Sequence, residues 1–324
     1  MELNSDNRDF SAMSLISSLT EKVEHKTVQE FYMQPIASFK GPGRQGNALV
    51  YKDSYNSIRT FTKGKMNILF NDIDVNWLNE YEKWLREKKC AKTSISLSFR
   101  TLRSVYNKAI KAKFVRRDLY PFNEFKISKF DTTTKKRAIS KNIIIDIQKL
   151  DLTKERYYVQ FSRDIFIFSY LCGGINFTDI AHLTNENISD KQMSYIRKKT
   201  KKKINIPLQK NASEIIQKYQ QNNSVYVFPI LNLYHVTEVQ KYNRIHKVMG
   251  KVNKALKEIS KIAGVDINIT SYTARHSYAT VLKNSGVNIA LIGETLGHSD
   301  LKITQIYLDS FENGQIDAAM KNLL

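Results

Sequence analysis

At 324 residues the chain is longer than one ordinary hydrophobic core supports, and two domains are expected. Its 51 Lys and Arg against 31 Asp and Glu leave a formal charge of +20, which favours a polyanionic partner: nucleic acid, with an anionic membrane surface as the competing reading. No apolar run approaches the roughly 20 residues of a spanning helix, the opening MELNSDNRD is unlike a secretory signal, and Cys90 and Cys172 lack disulfide or metal spacing, so a cytoplasmic protein with no metal site is expected.

In chain order, Met13, Leu15, Ile16 and Leu19 and then Phe31, Tyr32, Ile36 and Phe39 are modestly apolar stretches before KGPGRQGN marks a loop. Leu49, Tyr51, Tyr55, Ile58 and Phe61 predict a helix over 47–62 with Gly64 just past its end. Asp74 is placed to cap a helix burying Trp77, Leu78, Tyr81 and Leu85. Thr93 or Ser94 is expected to open the next. One of that helix's faces carries Ile95, Phe99, Leu102, Tyr106, Ala109 and Ile110, and another carries Arg100, Arg103, Asn107 and Lys111. Pro121 follows, and KISKFDTTTKKR, without periodicity, reads as a basic linker. The expected boundaries are a first domain over 1–125, a linker over 126–139 and a second domain over 140–324.

Ser140 is a suitable cap for a helix burying Ile143, Ile144, Ile147 and Leu150. The near-continuous apolar content of 155–172 predicts a helix inside a large core, ended by Gly173 and Gly174. QMSYIRKKTKKKINIPL alternates about a Lys-rich centre and predicts a β-hairpin with a cationic tip made of Lys198, Lys199, Lys201, Lys202 and Lys203. Helices are expected near 212–221 and 236–263, the latter bounded by Gly264. The domain is therefore mainly α with a small sheet.

The stretch 270–309, TSYTARHSYATVLKNSGVNIALIGETLGHSDLKITQIYLD, concentrates Arg275, His276, His298 and Tyr307. Cations that cradle phosphoryl oxygens, a proton carrier and a hydroxyl nucleophile are the components for attacking a phosphodiester without a metal. TARHSYAT, LGHSD and a Tyr nine positions after His298 together resemble the C-terminal motifs of the tyrosine recombinases, the phage-integrase family. That resemblance implies a two-domain, C-shaped DNA clamp: an N-terminal helical bundle of the SAM-like core-binding type and an α+β catalytic domain. Arg100, Arg103, Asn107, Lys111, Lys129, Lys135, Lys136, Arg137 and the hairpin lysines would then be DNA contacts.

The resemblance also implies roles. Tyr307 would attack the scissile phosphate, giving a 3′-phosphotyrosyl link and a free 5′-hydroxyl. Arg275 would grip two phosphoryl oxygens, His298 would bond a non-bridging oxygen or move a proton, and Lys199, eight positions before Pro207, would protonate the leaving oxygen. Two positions depart from the family pattern. Tyr272 stands where the second box has His, with His276 as a compensating neighbour, and GINFTDIAHL places Asn176 where the first catalytic Arg belongs. Arg163 and Arg197 are the candidate substitutes for that missing charge, and Asp179 matches the acidic position of the same box.

A site-specific recombinase integrating and excising a mobile element is therefore expected, acting on double-stranded DNA without a cofactor, within the nucleoid. Ile316, Met320, Leu323 and Leu324 recur at helical spacing. Such a tail can close its own domain or dock on a neighbour, the latter giving a homotetramer on two duplexes from a chain that is monomeric without DNA, with accessory DNA-bending proteins as further partners. A regulator that has lost catalysis and a strand-relaxing topoisomerase of type IB character are the alternative functions. Absence of a separate arm-binding domain before Phe10, or its trimming, is a further expectation.

Overall fold

The computed structural model describes residues 26–39, 45–130, 137–221, 223–300 and 304–305, and the chain divides into two units, Met1–Thr133 and Thr134–Leu324. Among the described residues the first unit holds four α-helices: α1 (Val28–Ser38), α2 (Gln45–Phe61), α3 (Val75–Glu87) and α4 (Lys92–Lys111). Thr27 and Glu30 close a capping box at α1, and Asp74 accepts the Trp77 N–H at 2.7 Å at α3, each worth about 1 kcal/mol. The start of α4 departs from expectation: it begins at Lys92 behind Ala91, with no side-chain cap, because the chain has already turned through Lys89 at φ 55°.

Aromatic rings fill this bundle. Phe99 lies 4.7 Å from Phe125 and stacks on Phe130 at 5.5 Å, while Phe31 meets Phe70 edge-on at 5.4 Å. Ile127 and Phe130 are buried in this core. Residues 126–130 of the segment expected to be a linker therefore close the first unit, their apolar side chains being claimed by Phe99 and its neighbours.

The second unit is built around one helix. In α6 (Tyr157–Leu171) the residues Ile165, Phe166, Ile167 and Phe168 are all buried, which no single apolar stripe can achieve. The reason is that α5 (Lys141–Lys149), α8 (Lys210–Tyr219), α9 (Glu238–Ile262) and α10 (Ser271–Asn284) all pack on it. Ser140 caps α5 through the Ile143 N–H, and Ser277 on α10 accepts the Ile139 N–H, fastening the entry of this unit. Two antiparallel strands, β1 (Gln192–Ile196) and β2 (Lys203–Pro207), form the only sheet among the described residues, with Met193 opposite Ile206 and Tyr195 opposite Ile204 on its buried face. Short helices α7 (Phe177–Ala181) and α11 (Ile289–Thr295) complete the unit. Among the described residues no helix is long and apolar enough to cross a membrane.

Candidate active site

The central helix α6 ends in two successive glycines, Gly173 and Gly174, at φ 70° and 64°. At Gly174 a Cβ would stand 3.1 Å from the Arg275 Cα and Cγ, so only glycine lets the chain pass this close to α10. The approach has a purpose: the Gly174 carbonyl accepts Arg275 Nη1 at 2.8 Å. Arg275 is only 2% exposed, and its Nη2 reaches both the Leu296 carbonyl and His298 Nε2, the latter at 3.1 Å.

Three consecutive carbonyls past the end of α11 collect cations. Leu296 holds Arg275, Gly297 accepts Arg197 Nη1 at 2.7 Å and Thr200 Oγ1 at 3.1 Å, and His298 accepts Lys202 Nζ. Carbonyls at a helix C-terminus lack intrahelical donors and carry partial negative charge, so they suit this task. The loop joining β1 to β2 is thereby fastened against the residues around His298. Gly297, at φ 65°, is again required: a Cβ there would meet Ile204 Cδ1 at 2.9 Å and Arg197 Cδ at 3.0 Å.

A guanidinium can only donate, so His298 Nε2 must accept from Arg275, which puts the ring proton on Nδ1, donating to Thr304 Oγ1 at 2.9 Å. Burial, followed by the charges of Arg275, Arg197, Lys199 and Lys202, lowers the His298 pKa to about 4. The imidazole is neutral at physiological pH, as its hydrogen bonds require. Thr304 is fully buried and lies three positions before Tyr307 in the sequence.

Asn176 caps α7, accepting the Asp179 N–H at 3.2 Å, while its amide donates to Asp179 Oδ2 at 2.6 Å. Asp179, itself buried, accepts the Lys198 N–H at 2.8 Å and so ties α7 to the hairpin loop. Burial pushes its carboxyl pKa up, against the Lys198 N–H, Arg197, Asn176 and Arg275, which pull it down. Arg197 is 6% exposed, and its Nε is buried without a hydrogen-bond acceptor among the described residues.

Arg275, His298, Arg197 and the hairpin loop bearing Lys199 are thus gathered in one place, with Lys198, Lys199, Lys201, Lys202 and Lys203 exposed along that loop and the strand after it. Tyr272 and His276, four residues apart, share a face of α10, their rings meeting edge-on at 5.0 Å. Arg163 is not gathered in. Its Nε binds Asp164 at 2.7 Å and its Nη1 the Leu150 carbonyl at 2.8 Å, in a separate cluster where Asp164 also holds Lys218 and Tyr219. Of the two arginines expected as substitutes, Arg197 lies beside the residues around His298 and Arg163 lies in the Asp164 cluster.

In the first unit, Arg100, Arg103, Asn107 and Lys111 line one surface groove on α4 together with Ser104 and Lys108, and the Lys108 ammonium lies 4.8 Å from the Tyr51 ring. Lys129 is occupied within its own unit: it pairs with Glu82 at 2.5 Å and sits 3.9 Å from the Phe125 ring. Arg137 is exposed; Lys135, Lys136, Tyr307 and the tail carrying Ile316 to Leu324 lie outside the described residues.

Sequence reasoning missed Thr304, Thr200 and the three carbonyls, none of which has a distinguishing residue type. It also missed the recurrence of Lys247, Lys251, Lys254 and Lys261 on the exposed side of α9, which spacing of three, four and seven makes visible. Among the described residues no group of three His, Cys, Asp or Glu side chains converges as a metal site would require.

Residues 27–127 match the family described as phage integrase SAM-like domain, and residues 145–313 match the one described as phage integrase family. The chain is 28% identical over 266 residues to tyrosine recombinase XerC of Pediococcus pentosaceus, covering 79% of this chain and 83% of that one. It is also 28% identical over 220 residues to tyrosine recombinase XerD of Staphylococcus aureus, covering 66% and 70%. Among solved structures, the Tn1549 transposon integrase in complex with a circular intermediate DNA shares the fold with a TM-score of 0.64 at 16% identity, over 91% of this chain and 99% of that one. A lambda integrase tetramer bound to a Holliday junction gives 0.64 at 14% identity, over 91% and 80%. With its second unit matched over 145–313, more than half its length, and a SAM-like domain before it, the chain belongs to the phage integrase family.

Proposed function

We propose that this protein is a site-specific DNA recombinase, the integrase of a mobile element, that breaks and rejoins strands through a phosphotyrosyl link at Tyr307. The observation that carries the reading is the convergence of Arg275, Arg197, Lys199 and Lys202 upon a neutral His298. Three positive groups held at the residues around one imidazole, with Lys199 exposed on the adjoining loop, suit a site that receives a phosphodiester. The relatives named tyrosine recombinases support the chemistry, and the Tn1549 and lambda integrase structures support a mobile-element setting and a tetramer on DNA.

In this reading the Tyr307 oxygen attacks phosphorus while the bond to the 5′-oxygen breaks. The phenolic proton is given up to solvent, the neutral His298 keeps Arg275 and Thr304 in place through its two ring nitrogens, and Lys199, on the exposed hairpin turn, supplies a proton to the leaving 5′-oxygen. Arg275, its Nη groups bound to Gly174, Leu296 and His298, lends its positive charge to the non-bridging oxygens. Arg197 supplies the positive charge that Asn176 lacks, while Asn176 keeps a structural task as the cap that orients Asp179. Attack by a 5′-hydroxyl of another strand reverses the step, so joining needs no separate energy source.

The test is strand joining between two differently labelled duplexes that carry the sequence the protein selects from a randomised pool. The full chain joins them and the Tyr307→Phe variant does not. Binding without joining or cleavage by the unaltered chain would point to a regulator, and relaxation of supercoils without joining to a topoisomerase.

A further inference from the structure

The six positions 198–203 carry five lysines, all exposed, around Thr200. Ammonium groups this close repel one another, and Lys201 holds a left-handed φ of 59°, which a residue bearing a side chain disfavours. Left to itself, such a turn would splay. A lysine stem is long and freely rotating, so an acid carried on a splaying turn reaches the reacting oxygen in few of its conformations.

The turn is tied from within and from outside. The Arg197 N–H donates to the Lys202 carbonyl at 2.8 Å and the Lys201 N–H to the Arg197 carbonyl at 2.9 Å, closing it on itself. The Lys198 N–H donates to Asp179 Oδ1 at 2.8 Å, and that carboxylate is buried and fixed by the Asn176 amide. Thr200 Oγ1 donates to the Gly297 carbonyl at 3.1 Å, and Lys202 Nζ to the His298 carbonyl. Lys199 therefore stands between two anchored neighbours, Lys198 on the α7 side and Thr200 beside His298.

The side-chain ties differ in strength. Lys202 is exposed, so water competes for its ammonium and the bond to the His298 carbonyl contributes little. Thr200 is half-buried, and the carbonyl it reaches is the one that also accepts Arg197 Nη1. The approach is close: a Cβ on Gly297 would meet Arg197 Cδ at 3.0 Å. One short hydroxyl thus fixes the turn against the residue before His298, and with it the backbone from which Lys199 extends.

Resting on the reading of Lys199 as the proton donor, we propose that Thr200 is a positioning residue for that lysine: its bond to the Gly297 carbonyl holds the turn where the Lys199 ammonium reaches the leaving 5′-oxygen. Lys199 gives its proton to that oxygen as the bond to phosphorus breaks, and takes a proton back when a 5′-hydroxyl attacks the phosphotyrosine. Thr200 touches neither the phosphate nor the strand. Its loss slows the proton transfer and leaves DNA affinity as it was.

The experiment measures single-turnover cleavage by the full chain, at saturating protein, on a nicked duplex of the sequence the protein selects and on the same duplex with sulfur in place of the leaving 5′-oxygen. Sulfur departs as a thiolate and needs no proton. Expected for Thr200→Val is cleavage of the oxygen substrate slower by roughly tenfold to a hundredfold, at unchanged affinity and salt dependence, with the normal rate restored on the sulfur substrate. Thr200→Ser, which keeps the hydroxyl, cleaves both near the normal rate. Lys199→Ala combined with Thr200→Val cleaves the oxygen substrate no more slowly than Lys199→Ala alone. A normal rate for Thr200→Val on oxygen would overturn the proposal, as would equal slowing on both substrates, which would make Thr200 a support for Arg197 or for the fold. Lys199→Ala equally slow on both substrates, or at the full rate on both, would overturn the reading of Lys199 and the proposal with it. No cleavage by the unaltered chain would overturn the recombinase reading itself.

Discussion

Replacing Arg197 by Ala removes a buried cation and, on the proposed reading, the charge that stands in for the arginine absent at Asn176. Its Nη1 bond to the Gly297 carbonyl, 2.7 Å long, is a charged hydrogen bond, worth about 1.5–3 kcal/mol of stability. The catalytic consequence is larger in kind. On the proposed reading, losing this positive group from beside the phosphate lowers the cleavage rate by roughly 10²–10³, equivalent to about 2.7–4 kcal/mol of transition-state stabilisation. Single-turnover cleavage of a nicked duplex, at protein concentrations that saturate binding, isolates this effect from affinity. Arg197→Lys keeps the charge but not the planar fork and recovers part of the rate. Arg163→Ala, which breaks the bonds to Asp164 and Leu150, lowers the thermal midpoint while leaving the rate per folded molecule near that of the unaltered chain. Cleavage by Arg197→Ala at the full rate, or a collapse of the rate in Arg163→Ala at full folding, would refute the assignment of the substituting charge.

Other outcomes follow from the same geometry. His298 has its pKa lowered to about 4 in the folded chain, below the unfolded value of about 6.5, so the unfolded chain binds more protons between those values. Its contribution is therefore present above about pH 6.5 and is lost as pH falls toward 4, on the order of 1–3 kcal/mol, and His298→Gln flattens the fall in thermal midpoint over that window. Gly174→Ala places a methyl 3.1 Å from the Arg275 backbone at φ 64° and abolishes cleavage with a large loss of stability, whereas Gly264→Ala, at the same φ in open space, costs only about 1–2 kcal/mol, as thermal melts will distinguish. Arg103→Ala, in the groove of α4, reduces the slope of log affinity against log salt by about one phosphate contact, while Lys129→Ala leaves the slope unchanged and weakens the first unit through loss of Glu82 and Phe125.

How much of this could be read from residues alone depends on whether a feature is periodic or local. The hairpin was legible because Met193, Tyr195, Ile204 and Ile206 alternate with polar neighbours, and the buried faces of α3 and α4 because apolar residues recur at three and four. Arg275 and His298 were legible because they occur within motifs. The choice between Arg163 and Arg197 was not. α6 is buried on nearly every side, so no periodicity tells where Arg163 points, and its Nη1 is held by the Leu150 carbonyl thirteen residues earlier in the chain. Lys129 was misleading for a related reason: a basic residue in an aperiodic stretch looks solvated until Phe125, Phe130 and Glu82 are seen to surround it. Asn176 is a different lesson, since a residue that breaks the family's pattern for chemistry satisfies the ordinary preference for Asn at a helix N-cap.

The central claim is that the cations around His298 hold a phosphate for the phenol of Tyr307. Its most direct measurement is mass spectrometry of the protein recovered from a nicked duplex whose small fragment diffuses away after cleavage. The account predicts a nucleotide linked through its 3′-phosphate to the peptide containing Tyr307, formed by the unaltered chain and absent from Arg275→Ala and Tyr307→Phe. A covalent link at any other residue, or an undiminished link in Tyr307→Phe, would contradict it.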